Sequence, residues 1–228
     1  MKTRDYFGWT VLEEDNRYGP AIQQNIDYTN EDEDTMTDVL KKHVKKNNCV
    51  VEVGVHVGFT TKWLANKFST VHSFDFDNDV LECFRINMKK FGCNNVVIHP
   101  YGLGEIEKMV AVADQYPSGR GPLGAHIDIK NNNKLYKIKS LDQLSIENVD
   151  LAVIDTEGYE YFVLQGAQET IKKYKPVLVI EFHKKRLSKK FFGVDQSTTE
   201  EFLEKKLGYK FVSQVTKNDR LYVHKEQI

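Results

Sequence analysis

The residues best suited to hold a ligand lie near position 55, where a carboxylate and two glycines follow one another closely. Glu52 interrupts the apolar residues 50–53, Gly54 follows directly, and Gly58 comes four residues later, where a helical pattern begins. A buried parallel strand that turns sharply into a helix brings backbone amides against a nucleotide-like ligand. Glycine permits both the tight turn and the close approach. The stretch therefore predicts a cofactor-binding loop.

The ligand of this loop should lack a diphosphate. Counting from Gly54, the pyrophosphate-binding pattern requires glycines at positions 56 and 59, and the chain has His56 and Phe59 there. This spacing disfavours a nicotinamide oxidoreductase and favours a nucleoside-like cofactor, with S-adenosylmethionine as the leading candidate. Amides at the start of the next helix would meet the carboxylate of its amino-acid moiety. Glu52 would order the loop or meet the ammonium group, and His56 would shape the turn.

A second carboxylate, Asp75, follows the next predicted strand about twenty residues after Gly54. In nucleoside-binding α/β folds, an acid at this place accepts hydrogen bonds from both ribose hydroxyls. Asp77 is a nearby competitor, but a helix is predicted from about position 78, and Asp77 or Asp79 suits its N-cap better than Asp75 does. We therefore predict that Asp75 binds the cofactor.

Two further strand ends carry groups that could act on a substrate hydroxyl. Asp155 and Glu157 could orient the hydroxyl, take its proton or share a metal ion, and Asp155 is also predicted to contact the cofactor. Too few other ligands are recognisable to predict a metal site. His183, two residues after the strand-ending Glu181, is a third candidate for the base. A purely structural role for the acids, as partners of a helix dipole, stays open.

The elements that must position these groups alternate between strands and helices. The fourth and fifth strands are continuous apolar runs, as expected for central parallel strands buried on both faces. The last two strands are joined by the short turn 216–219 and must be antiparallel. The predicted fold is therefore an α/β Rossmann-like sheet, mostly parallel, with helices on both faces and a C-terminal antiparallel hairpin. Its predicted strands are 49–53, 70–74, 95–99, 150–154, 176–181, 209–215 and 220–225, with helices at about 58–68, 78–91, 159–174 and 198–207.

Two regions lie outside this alternation. Residues 1–34 are aromatic and acidic, and we expect an N-terminal extension that packs on the core, either over a cofactor cleft or against the sheet edge. The main domain is predicted at 35–228, where a short helix begins near Thr35 or Thr37. An irregular accessory insertion is expected at about 105–140, with 109–113 and 135–139 as a strand pair around a loop rich in glycine and proline.

Composition restricts the class of protein. With 228 residues, 40% hydrophobic and 11% aromatic, the chain is long enough for one folded domain. A formal net charge of −1 gives no sign of a nucleic-acid partner. No apolar run has the length of a membrane span or of a signal-peptide core. Three cysteines without a CxxC pair suit a reducing cytoplasm. The oligomeric state stays open.

The chain resembles the FkbM-type family of S-adenosylmethionine-dependent methyltransferases, which have a class I methyltransferase fold. The resemblance covers roughly residues 49–183 and is most specific after the fourth strand. It departs from the family pattern where His56 replaces Asn and Val153 replaces Lys. The matching stretches are 51–58 for I-D-V-G-A-N-x-G, Phe74-Asp75-Phe76 for F-E-P, 153–160 for K-I-D-V-E-G-x-E, 164–167 for L-x-G-A and 175–181 for K-P-x-x-x-x-E.

This resemblance implies O-methylation of a hydroxyl on a sugar, a glycan or another small-molecule acceptor. A nucleic-acid aminomethyltransferase would carry an Asn/Asp-Pro-Pro-aromatic motif in place of Asp155-Thr156-Glu157-Gly158, and a cytosine-C5 enzyme would carry a Pro-Cys pair, which the chain lacks. A catalytically silent S-adenosylmethionine-binding module remains a competing interpretation. The identity of the acceptor is not readable from the residues.

Overall fold

The computed structural model describes residues 2–13, 36–38, 41–111, 135–182 and 192–228. Residues 36–38 and 41–43 are helical, at the place of the predicted short helix. The strands are β1 (Thr3–Tyr6), β2 (Trp9–Leu12), β3 (Cys49–Val53), β4 (Thr70–Phe74), β5 (Val96–His99), β6 (Gly102–Leu103), β7 (Lys108–Ala111), β8 (Leu135–Lys139), β9 (Val149–Ile154), β10 (Val177–Glu181), β11 (Tyr209–Gln214) and β12 (Asp219–His224). The α-helices are α1 (Phe59–Ala65), α2 (Asn78–Lys90), α3 (Glu160–Gln165), α4 (Gln168–Tyr174) and α5 (Gln196–Glu201), which continues as a π-helical segment (Phe202–Lys206).

Seven strands form one sheet in the order β11-β12-β10-β9-β3-β4-β5. The strands from β10 to β5 are mutually parallel, whereas β12 is antiparallel to both of its neighbours. This topology confirms the predicted mostly parallel sheet with a C-terminal hairpin. Alternate residues of β3 enter two separate apolar clusters, Val51 and Val53 in one and Val50 in the other. The central strand is therefore buried on both faces, which explains its unbroken apolar sequence.

The parallel register brings the carboxyl ends of four strands to one edge of the sheet. Val53 of β3 lies opposite both Phe74 of β4 and Ile154 of β9. The Gly54 N–H then donates to the Phe74 carbonyl at 2.9 Å, and the Asp155 N–H donates to the Val53 carbonyl at 2.9 Å. The chemically active residues that follow these strands are consequently neighbours in space.

The predicted helix over 159–174 is two helices, α3 and α4, separated at Gly166 and Ala167. A Cβ on Gly166 would lie 1.9 Å from the carbonyl oxygen of Gly104, so a backbone approach from the accessory region occupies this point of the chain. Helix periodicity alone gives no sign of that contact. Among the described residues, no helix is both long and apolar enough to cross a membrane.

The accessory region forms a second, three-stranded sheet in the order β6-β8-β7. The strands β7 and β8 pair, as expected for the segments 109–113 and 135–139, and the pairing is antiparallel. The two-residue strand β6, which pairs in parallel with β8, was not expected. Val110, Tyr136 and Ile138 belong to the apolar cluster that contains Val51 and Val53 of β3. The Gly- and Pro-rich loop 116–126 lies outside the described residues.

Residues 2–13 of the expected extension form a hairpin of β1 and β2, which the sequence analysis did not predict because both strands have only four residues. The ring of Trp9 packs on Phe59 of α1 at 4.2 Å and on Phe91, after α2, at 4.5 Å between ring centroids. Val11 is fully buried. The hairpin thus packs on α1 and α2. The proposed boundary at residue 34 lies outside the described residues.

Candidate cofactor and active site

The loop between β3 and α1, residues 54–58, has a conformation that depends on two glycines. Gly54 has φ 85° and Gly58 has φ 96°, in the left-handed region that side chains disfavour. A Cβ on Gly54 would lie 1.7 Å from the carbonyl oxygen of Asp155. The loop and the end of β9 therefore touch backbone to backbone, and no larger residue fits at position 54.

Asp75 ties this loop to the end of β4. Its Oδ2 accepts a hydrogen bond from the His56 N–H at 3.2 Å, and its Oδ1 accepts one from the Asp77 N–H at 3.1 Å. An ionised carboxylate has about four acceptor positions, so capacity remains for two ligand hydroxyls. Desolvation raises the pKa of Asp75, and the two N–H donors lower it. Asp77, one of the two candidates for the N-cap, caps α2 by accepting from the N–H groups of Asp79 and Val80.

His56 is a non-glycine residue in the left-handed region, with φ 48°. This conformation costs a residue with a side chain roughly 1–2 kcal/mol. The structure therefore maintains it against a local preference, and the bond from its backbone N–H to Asp75 is one of the contacts that does so. Both ring nitrogens of His56 are buried.

Glu52 is buried between α1 and β4, with 3% of its surface exposed. Its Oε2 accepts from the Thr61 hydroxyl at 2.6 Å, and the Ser73 hydroxyl lies 3.5 Å away. Desolvation raises the pKa of Glu52 to about 8; the two hydroxyls act against this rise and the charge of Asp75 adds to it. Of the two roles expected for Glu52, these contacts favour ordering of the loop over contact with a ligand.

Three carboxylates converge at the ends of β9 and β10. One oxygen each of Asp155, Glu157 and Glu181 lies within 4.8 Å of the other two, with Asp155 exposed and Glu181 buried. Desolvation and the negative charges of Glu181 and Glu157 raise the pKa of Asp155 well above its ordinary value of 3.8. Because Asp155 stays in contact with solvent, the like charges are the firmer cause. Such a group can act as a stronger base than an isolated aspartate.

Glu181 is the member of this group that the sequence analysis left out of the site. It ends β10, which lies beside β9 in the sheet, so a carboxylate there faces Asp155. The end of an adjacent parallel strand was the signal that could have identified it. Three carboxylate oxygens at this spacing also match what a hard divalent cation binds. His183, the third expected catalytic residue, lies outside the described residues.

Glu160 holds the turn that carries Glu157. Its Oε1 accepts from the N–H and the hydroxyl of Thr156, both at 3.1 Å, and from the Gly158 N–H at 2.9 Å. Glu157 has φ 54° and Gly158 has φ 107°, so the turn needs such support. Desolvation raises the pKa of Glu160 to about 7. This role of Glu160 was not predicted, although an acid at a helix start that can reach back to earlier N–H groups is a recognisable pattern.

The family model of the methyltransferase FkbM domain matches residues 52–211, which include every described site residue above. The chain belongs to this family. Its cofactor is therefore S-adenosylmethionine, as predicted from the loop that contains Gly54 and Gly58. No curated protein sequence matches the chain.

Solved structures agree with this FkbM-domain assignment at the level of the fold. Methyltransferase FkbM from Methylobacillus flagellatus is 16% identical, with a TM-score of 0.55 over 96% of this chain and 62% of that chain. A Streptococcus mutans protein solved in complex with SAH is 12% identical, with a TM-score of 0.50 over 83% of this chain and 94% of that chain. A SAM-dependent methyltransferase from Aquifex aeolicus is 14% identical, with a TM-score of 0.50 over 90% and 96%. The chain thus spans less than two thirds of the Methylobacillus protein.

The described residues of this FkbM-domain protein fit S-adenosylmethionine. Asp75 has two acceptor positions left for a pair of vicinal hydroxyls, such as those of ribose. Asp155, Glu157 and Glu181 bring negative charge to the same edge of the sheet, which suits a cationic sulfonium. The loop 54–58 connects these two sets of groups, since it bonds to Asp75 and touches the backbone of Asp155.

Proposed function

We propose that the protein transfers a methyl group from S-adenosylmethionine to a hydroxyl of a sugar, a glycan or another small-molecule acceptor. The observation that carries this proposal is the cluster of three carboxylates, from Asp155, Glu157 and Glu181, beside the cofactor loop. A hydroxyl nucleophile must be oriented and must lose a proton, and carboxylates do both. When bound, the cofactor supplies an activated methyl group, so the protein contributes alignment and proton removal.

In this proposal the residues around the cofactor loop have separate roles in binding and in support of the loop. Asp75 accepts the ribose hydroxyls, while Gly54 and Gly58 give the backbone its close approach. Glu52 supports the loop from within through Thr61 of α1. Asp155 would act beside the bound cofactor, because its carbonyl oxygen lies directly against Gly54 of the loop.

Asp155 is the base that we favour for the acceptor hydroxyl, with Glu157 orienting the same hydroxyl. The charges of Glu181 and Glu157 make ionised Asp155 bind a proton more tightly than an isolated aspartate does. Its proton would leave to solvent, since the residue is exposed. Glu160 fixes the position of Glu157 through the turn, without touching the acceptor.

The test combines an acceptor screen with matched variants. Purified protein is incubated with methyl-labelled S-adenosylmethionine and a panel of glycans and small-molecule hydroxyl compounds. Asp155→Asn should lower kcat on any accepted compound by about 100-fold or more, in the range for loss of a general base. Glu169→Gln is the control, because that side chain is 78% exposed on α4. It should leave kcat unchanged.

One outcome would contradict the proposed reaction, and another would contradict only the proposed base. Binding of S-adenosylhomocysteine without methylation across the whole panel would favour the silent binding module. Activity of Asp155→Asn within threefold of wild type, on a compound that wild type methylates, would remove Asp155 as the base while leaving the reaction class intact.

A further inference from the structure

Asn87 of α2 is a fully buried polar residue, with 0% of its surface exposed. Its Oδ1 accepts from the Thr10 N–H at 2.8 Å, and its Nδ2 donates to the Thr10 carbonyl at 2.9 Å. The second Nδ2 hydrogen goes to the Val57 carbonyl, also at 2.9 Å. Both amide hydrogens and the amide oxygen are thus used at ordinary hydrogen-bond lengths.

These three bonds connect two parts of the chain that are far apart in sequence. Thr10 lies in β2 of the N-terminal hairpin, and Asn87 pairs with its N–H and carbonyl as a neighbouring strand residue would. Val57 lies in the cofactor loop, directly before Gly58. The amide of one helix residue therefore joins the hairpin to the loop.

Apolar packing reinforces the same connection. Val11 of β2 belongs to a buried cluster with Val57, Phe59, Val80 and Cys83. The hairpin accordingly contacts the loop end and α1 through side chains as well as through Asn87. Residues 2–13 lie against α1 and α2, where they support the loop.

The position of the bond within the loop gives it a specific consequence. His56, with φ 48°, donates its N–H to Asp75, and the next residue, Val57, offers its carbonyl to Asn87. Asp75 and Asn87 thus hydrogen-bond to consecutive residues of the loop, and these two bonds are its anchors. A left-handed non-glycine residue persists only where surrounding contacts over-determine it. Loss of either anchor would let this part of the loop relax toward an ordinary conformation.

We propose that Asn87 is a positioning residue for the S-adenosylmethionine loop, and that the N-terminal hairpin sets the geometry of this loop through it. The inference rests on the assignment of S-adenosylmethionine as the cofactor. It adds a role in cofactor binding for the N-terminal hairpin, which is not predicted to contact the cofactor itself. Asn87 touches neither the cofactor nor the acceptor. It acts on cofactor affinity through the Val57 carbonyl.

The test measures S-adenosylhomocysteine affinity by calorimetry and stability by thermal unfolding for three variants. Asn87→Leu removes all three hydrogen bonds at similar side-chain volume and should raise Kd about 10-fold. This change corresponds to about 1.4 kcal/mol of binding free energy, the size expected for the loss of buried hydrogen bonds. Thr10→Pro removes the Thr10 N–H and its bond to Asn87, keeps the two bonds from the Asn87 Nδ2, and should raise Kd about threefold. Val223→Ala is the control, since this residue is buried on β12 near the opposite edge of the sheet. It should lower Tm with Kd unchanged.

Each result decides a separate question. Wild-type affinity in both Asn87→Leu and Thr10→Pro would overturn the inference. So would a rise in Kd for Val223→Ala as large as that of Asn87→Leu at a comparable loss of Tm, because Asn87 would then act through stability alone. Failure of wild type to bind S-adenosylhomocysteine would refute the cofactor assignment itself, and the inference with it. If Asn87→Leu does not fold, Thr10→Pro and its Kd decide the matter.

Discussion

Asp75→Ala is the substitution for which the structure gives the sharpest expectation. The side chain accepts one hydrogen bond from each of two loops, through the N–H groups of His56 and Asp77. Under the proposed function its remaining acceptor positions take the two ribose hydroxyls. Alanine removes all four bonds at once, so both the free loop and the bound ligand are affected.

The magnitude follows from the kind of bond that is lost. A hydrogen bond to a charged group contributes about 1.5–3 kcal/mol. Two such bonds to the ribose correspond to roughly 3–6 kcal/mol, and tenfold in affinity corresponds to about 1.4 kcal/mol. Water can enter the half-buried site and recover part of this loss. We therefore expect S-adenosylhomocysteine to bind about 100-fold more weakly, near the lower limit of this range.

A ligand comparison separates the direct bonds from loop disorder. Calorimetry is done on wild type and Asp75→Ala with S-adenosylhomocysteine and with its 2′,3′-dideoxy analogue, which forms a thermodynamic cycle. Deleting the hydroxyls should weaken binding to wild type strongly and to Asp75→Ala hardly at all. Asp77→Ala is the control, because its side chain caps α2 and its N–H is retained. Equal loss from the hydroxyl deletion in wild type and variant would refute the ribose role of Asp75.

Two further predictions concern the buried carboxylates Glu160 and Glu52. Glu160→Ala should lower kcat at least 10-fold, with a smaller change in S-adenosylhomocysteine affinity. Glu160→Gln retains an acceptor oxygen for the N–H groups of Thr156 and Gly158 and should recover most of the lost kcat. Equal losses of kcat in the two variants would contradict this role of Glu160. Because desolvation raises the pKa of Glu52 from 4.5 to about 8, the folded chain holds this proton more tightly than the unfolded chain, and stability falls as the pH rises between these values. Denaturant unfolding at pH 6 and pH 8 should show wild type losing about 2 kcal/mol more than Glu52→Gln, and equal losses in the two proteins would show that folding does not raise the pKa of Glu52.

The sequence predicted the sheet well because its strands are marked locally. The predicted strands 49–53 and 70–74 have the bounds that the structure shows, and the first is an apolar run broken only by Glu52. The continuous apolar stripe over 159–174 predicts one helix, whereas the structure has a break at Gly166, where the Gly104 carbonyl comes close and Asp142 accepts from the first N–H groups of α4. Where a boundary depends on a tertiary contact, periodicity does not contain the information.

The same distinction separates the site residues. Asp75 and Asp155 could be placed because parallel strands bring their carboxyl ends to one edge. Glu181 needed the knowledge that β10 neighbours β9, and Asn87 needed the fold of the N-terminal hairpin, since it bonds to Thr10 across 77 residues of sequence. A lone asparagine in a helix carries no local sign of such a partner.

The cofactor loop illustrates how a chain can do without glycine at a position that usually needs conformational freedom. Position 56 is left-handed, yet it carries histidine, and two glycines flank it at 54 and 58. The conformation is held from the cofactor side by Asp75 and from the hairpin side by Asn87, at consecutive residues. Two bonds to distant side chains can together offset the roughly 1–2 kcal/mol that this conformation costs. His56→Gly should therefore stabilise the free loop in Asn87→Leu more than in wild type, because only in Asn87→Leu is one of those bonds missing.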